Sequence, residues 1–109
     1  MIYEYRMYEA VPGKMPELHK RFREITTKLF DKHGYRVVAF FEPSVGSVKE
    51  LHYILEWDDM GEMQRAWEKF RADPEWVEAR KRTEANGPLV VNVRNEVWRL
   101  TDYSPGIKL

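Results

Sequence analysis

Read for alternation and for helical spacing, the chain divides into strand, helix, strand, strand, helix and strand. Residues 2–9, IYEYRMYE, are rich in aromatic and β-favouring types and stop at Pro12-Gly13, a turn signal. Met15, Leu18, Phe22, Ile25 and Leu29 then recur at gaps of three and four, the spacing of one helix face. His33-Gly34 is predicted to end that helix, with glycine in the left-handed position and histidine at the negative end of the dipole. Residues 35–42, YRVVAFFE, read as a second strand and 50–57, ELHYILEW, as a third, joined closely enough for a hairpin. Asp59 opens a D-x-x-E capping pattern with Glu62, and Met60, Met63, Trp67 and Phe70 keep helical spacing as core positions. DPEW at 73–76 is a second helix start, so the helix breaks at Asp73 and runs on to about Asn86-Gly87-Pro88. Residues 90–100, VVNVRNEVWRL, give the fourth strand.

This order predicts an α+β fold, a ferredoxin-like βαββαβ sandwich. Its four-stranded antiparallel sheet carries both helices on one face, with the first and third strands central. One domain is expected over 1–100 and an extended tail over 101–109. On ELHYILEW, alternation gives one side Leu51, Tyr53, Leu55 and Trp57, which read as core, and the other His52, Ile54 and Glu56. The polarity of the other strands assigns Ile2, Glu4, Arg6 and Tyr8, then Arg36, Val38, Phe40 and Glu42, then Asn92, Arg94, Glu96 and Trp98, to the His52 side. Tyr3, Tyr5, Met7, Val91, Val93 and Val97 are more apolar and are assigned to the helices. The helix-free face then mixes charge with large aromatics. That mixture fits a lined cavity or a dimer interface better than open water or a plain core.

Composition narrows the chemistry. The 18 basic and 18 acidic residues balance, so no global field points to nucleic acid or to an anionic membrane. Cysteine is absent, which removes disulfides, zinc-thiolate sites and thiol nucleophiles together. With three scattered histidines no metal site is expected, and no cofactor is assigned; haem on a single histidine stays open. His19 reads as a surface or boundary residue. No apolar run approaches a membrane span, and the first strand begins at Ile2 without room for a leader, so a cytoplasmic location is the expectation.

The chain resembles the NIPSNAP family of the dimeric α+β barrel superfamily. The likeness rests on I-Y-E-x-R-x-Y at Ile2 to Tyr8, P-G-K at Pro12 to Lys14, H-G at His33-Gly34 and L-H-x-x-x-x-W-D at Leu51 to Asp58. It continues through Arg65-Ala66 and D-P-E-W at Asp73 to Trp76. In place of the family's Gly-Pro-Leu-Asn-like turn before the third strand stands Gly46-Ser47-Val48-Lys49-Glu50. The resemblance implies a homodimer whose two sheets face one another and close into a barrel, with His52 and Glu56 looking into its interior. It implies no established reaction.

His52 is the one histidine on a central strand and the candidate general base. Arg6 and Arg94 are candidates to bind a carboxylate or a developing enolate, and Glu4 and Glu56 to orient His52 or neutralise Arg6. Tyr8 and Trp98 are candidates to stack on an aromatic ligand. His52 and Glu56 are separated by roughly 13 Å along one strand, so they cannot form a dyad. An antiparallel first strand would set Glu4 near Glu56 and Tyr8 near His52. The expected function is binding of a small aromatic or carboxylate molecule inside the dimer barrel. Two alternatives stand beside it: a cofactor-independent monooxygenase or isomerase, and a structural protein whose polar network only fixes dimer register.

Overall fold

Alternation along ELHYILEW sets the centre of the fold. The computed structural model describes residues 1–107. In it β3 (Glu50–Trp57) buries Leu51, Tyr53, Leu55 and Trp57, each at 3% exposure or less. β1 (Ile2–Ala10) pairs antiparallel with β3 on one side and with β4 (Val90–Trp98) on the other, and β2 (Arg36–Phe41) closes the far edge. The sheet order is β2-β3-β1-β4, which places the first and third strands at the centre as the sequence predicts.

The first crossover is α1 (Met15–Arg21), a π-helical turn at Phe22–Thr26 and α2 (Thr27–Lys32). Periodicity predicts this span as one regular helix, and the π turn is a difference the pattern does not show. The helix stops as predicted: Gly34 takes φ +75°, its N–H donates to the Asp31 carbonyl at 3.1 Å, and the Tyr35 N–H donates to the Phe30 carbonyl at 2.9 Å. That double closure brings the Phe30 and Tyr35 rings into a stack with centroids 4.6 Å apart. The second crossover is α3 (Met60–Ala72) and α4 (Pro74–Thr83). Asp59 caps α3 by accepting from the Glu62 N–H at 2.8 Å. α4 ends at Thr83, short of the expected Asn86-Gly87, and Met60 is exposed rather than in the core.

All helices lie on one face of the sheet. Phe22, Phe30, Tyr35, Tyr53, Trp67 and Phe70 interlock there through edge-on and tilted contacts at 5.2–6.0 Å. Beyond β4 the described chain makes a turn in which the Ser104 N–H donates to the Thr101 carbonyl at 3.1 Å. Residues 108 and 109 of the expected extended tail lie outside the described residues.

Asp73, buried at the α3–α4 junction, accepts from the Glu75 N–H, from Lys32 Nζ at 2.9 Å and from His33 Nε2 at 2.8 Å. The Lys32, His33 and Glu75 bonds, in that order, hold its carboxyl at about 2. In the unfolded chain it returns to about 4, so its contribution is full above pH 4 and is lost as pH falls from about 4 to about 2. Asp73→Asn removes that dependence. The gap in urea midpoint between native protein and variant should therefore narrow over this window; a constant gap refutes the assignment.

Candidate functional site

Register decides which side chains meet. β1 pairs Tyr3 with Glu56, Tyr5 with Ile54 and Met7 with His52. Directly opposed residues share a face, so the side of His52 carries Tyr3, Tyr5 and Met7. Glu4, Arg6 and Tyr8 sit opposite Leu55, Tyr53 and Leu51, under the helices. The expected grouping of Glu4, Arg6 and Tyr8 with His52 is thereby corrected. The register differs by one residue from the expected one, and a one-residue slip turns every side chain of a strand over. Polarity misled because these charges are buried in mutual contact rather than exposed. A register shift between Val37 and Ala39 does the same to β2: Arg36 stays on the open face, while Phe40 turns inward against Tyr53 and Phe22. On β4, Asn92, Arg94, Glu96 and Trp98 lie opposite Glu9, Met7, Tyr5 and Tyr3, on the open face as expected.

The open face has its own constellation. The Tyr5 hydroxyl lies 2.7 Å from His52 Nδ1, and Glu50 Oε1 lies 3.1 Å from His52 Nε2. Trp98 stacks on Tyr5 at 4.8 Å, Arg94 approaches the same ring at 5.8 Å, and the Trp98 N–H donates to Glu96. Glu56 pairs with Arg36, which also holds Asp58 and Glu62, all at 3.1–3.2 Å. His52 is thus oriented by Tyr5 from β1 and by Glu50 from its own strand, two residues that the sequence reading did not assign to it.

Under the helices, Glu4 is 1% exposed and accepts four bonds. The Trp57 and Trp67 N–H groups donate to Oε1 at 3.1 and 2.8 Å, and Arg6 and Asn95 donate to Oε2 at 3.0 and 3.3 Å. Arg6 also donates to the Tyr53 and Tyr8 hydroxyls at 3.1 and 3.3 Å and lies 4.2 Å over the Trp67 ring. Burial opposes the Arg6 charge, but Tyr53, Tyr8 and Glu4 hold its pKa above the ordinary guanidinium value. Burial first, and the adjacent Tyr8 next, raise the Tyr53 phenol well above the usual tyrosine range, so it acts as a hydrogen-bonding group and not as a base.

Above this network a cavity of about 240 Å³ opens between the two helical arms and the β1–β4 half of the sheet. Arg6 and Tyr8 line its floor; Phe22, Trp67, Phe70 and Trp76 wall it; Arg21, Arg71, Arg80 and Glu84 supply charge. Arg21, only 6% exposed, donates to Glu84 at 2.9 Å and lies 5.2 Å from the Trp76 ring. Arg21 Nε and Thr26 Oγ1 are buried and have no hydrogen-bond partner among the described residues. Both belong to the lining, and Thr26 ends the π turn, an irregularity often found at functional sites. Of the sequence-assigned residues the cavity takes Arg6 and Tyr8 and has Glu4 behind them; His52, Glu56, Arg94 and Trp98 are elsewhere. Arg21 and Thr26 were missed, although both are polar residues at helical spacing from the stripe, three after Leu18 and four after Phe22. No group of three or more His, Cys, Asp or Glu among the described residues is placed to hold a metal.

A family model named NIPSNAP matches residues 3–105, nearly the whole chain. The chain belongs to the NIPSNAP family. No curated protein matches its sequence. Among solved structures, a NIPSNAP family protein from Agrobacterium tumefaciens is similar at TM-score 0.84 and 22% identity, covering 95% of this chain and 96% of that one. An uncharacterized NIPSNAP-like domain protein from Burkholderia xenovorans gives TM-score 0.84 and 21% identity, covering 98% and 90%. A candidate antibiotic biosynthesis monooxygenase from Deinococcus radiodurans gives TM-score 0.63 and 14% identity, covering 99% and 100%. These likenesses show the NIPSNAP fold. Among the described residues no helix is long and apolar enough to cross a membrane.

Removing one partner of a buried ion pair strands the other. Glu4→Leu should lower unfolding free energy by about 3–5 kcal/mol, since Arg6 is left without its carboxylate and two indole N–H groups lose their acceptor. Adding Arg6→Met should recover part of that loss. Urea titration followed by tryptophan fluorescence reads both values, and a Glu4→Leu protein of native stability would refute the account.

Proposed function

We propose that this NIPSNAP chain binds a small planar organic acid in the cavity between its helices and sheet, rather than in a barrel interior between two sheets. What carries the reading is the pair of buried groups without partners in the wall, Arg21 Nε and Thr26 Oγ1. A buried polar group left unpaired costs about 1–3 kcal/mol, which a ligand acceptor would recover. The walls are aromatic and suit a flat body, and the arginines favour a carboxylate. The volume is below the roughly 300–1,000 Å³ usual for larger ligands, which favours one ring over several fused rings.

The monooxygenase or isomerase reading is less well supported. His52 lies across the sheet, and Glu84, the carboxylate of the lining, is tied to Arg21 and Arg80. The homodimer remains part of the proposal, through the open face. Arg36 and Arg94 alternate there with Glu50, Glu56 and Glu96 around Tyr5, Ile54 and Trp98. Both charge signs on one patch suit a two-fold, self-complementary contact. Light scattering behind a sizing column should give twice the mass of one chain, and Trp98→Asp should shift it to one; a native monomer refutes the dimer.

Phenylacetate should quench tryptophan fluorescence saturably, through Trp67 and Trp76. Thr26→Val keeps shape and removes the unpaired hydroxyl, so it should weaken phenylacetate binding about fivefold to tenfold while raising unfolding free energy by about 1 kcal/mol. Unchanged affinity in that variant removes Thr26 from the site, and absence of saturable quenching in the native protein overturns the binding reading.

A further inference from the structure

We infer that the acid bound in this cavity is a dianion, with one acidic group inside by Arg21 and Thr26 and a second held at the mouth by Arg71. The inference rests on the cavity being a ligand site and adds the class of ligand. The cavity does not end at its arginines. Arg71, Trp76, Arg80 and Glu84 also line an adjoining surface hollow, where Lys81 joins them, and from this shared wall we read the two as one channel running outward along α3 and α4.

Charge along this channel is uneven. Arg6 is met by Glu4, and Arg21 and Arg80 share Glu84 at 2.9 and 3.1 Å. Arg71 and Lys81 form no ion pair among the described residues, although both line the hollow. The inner end thus carries three cations against two carboxylates, one positive charge in excess, and the outer end adds Arg71 and Lys81 with no carboxylate paired to either. A concave wall concentrates the field of such a surplus. A ligand with one inner acid would leave Arg71 unanswered. A second acid on the far side of the ring, passing Trp76, would reach a planar guanidinium suited to bidentate capture.

Two probes of similar ring size separate the cases. Phenylacetate carries one charge and 4-carboxyphenylacetate two. Titration calorimetry at low salt should show the dianion binding about tenfold tighter, with the advantage shrinking as salt rises. Arg71→Gln, at an exposed position where unchanged melting temperature and circular dichroism exclude unfolding, should cost the dianion most of that advantage and phenylacetate much less. Equal affinities in the native protein, or an advantage that survives Arg71→Gln, overturn the dianion and leave the cavity as a monoanion site. Failure of both probes to bind overturns the cavity reading and this inference with it.

Discussion

Glu4 sits at 1% exposure on a central strand, and side chains from four segments converge on its two oxygens: Arg6 from β1, Trp57 from β3, Trp67 from α3 and Asn95 from β4. A carboxylate taken out of water without partners would cost several kcal/mol. Here every direction of acceptance is used, so the group becomes a fixed point between sheet and helix. Arg6 is placed as a consequence, its guanidinium held by Glu4 on one side and by the Trp67 ring above. The Tyr8 and Tyr53 hydroxyls, 3.0 Å apart, are then set by Arg6. The floor of the cavity is therefore the upper surface of a network that also joins α3 to the sheet. Position there is inherited from stability, which is how a site is held within the narrow tolerances that recognition needs.

Much of the architecture is legible in the residues. The stripe from Met15 to Leu29, Asp59 and Asp73 as caps, Gly34 as a stop and the alternation of ELHYILEW each carry a local physical cause, and the structure shows each in place. The side to which β1 turns is not local. IYEYRMYE alternates between a tyrosine-methionine set and a set containing Glu4 and Arg6, and either set can be buried if its polar groups find partners. Only the pairing of Met7 with His52 decides between them, and pairing depends on atoms distant in sequence. The β2 irregularity is hidden for a similar reason, since one extra residue leaves YRVVAFFE as strand-like as before. The π turn keeps gaps of three and four through Phe22, Ile25 and Leu29, so the stripe does not betray it. Beside the stripe, at helical spacing from Leu18 and Phe22, stand Arg21 and Thr26, polar residues where apolar ones would pack more readily, and those were the available clue to the cavity.

His52 illustrates how the two faces divide the chemistry. Its neighbours Tyr5 and Glu50 hold both ring nitrogens, so the imidazole is oriented on a face with no helix over it. The cavity, on the other face, has the Tyr8 phenol, arginines and one tied carboxylate but no histidine in its lining. Acid–base chemistry of the ordinary kind would need the first set, and recognition of a flat anion needs the second. A single sheet separates them, with Tyr5 and Arg6, adjacent in sequence, pointing to opposite sides. Under the proposed reading, the cavity face holds a molecule and the oriented imidazole belongs to the opposite face.

The same division bears on assembly. The channel mouth is built from α3 and α4, on the helical side, whereas a second copy pairing through the open sheet would sit on the opposite side. Dimerisation of that kind covers Tyr5, His52 and Trp98 and leaves Arg71, Trp76 and Arg80 facing solvent. Ligand entry would not require the two copies to separate, and a dimer would carry two independent cavities instead of one shared interior. Any coupling between assembly and binding would have to pass through β1, whose alternate residues belong to both. Because Glu4 and Arg6 tie that strand to α3 and β4 from the helical side, displacement of β1 by a partner would disturb the buried network before it altered the cavity walls. The network thus favours rigid separation of the two surfaces over communication between them.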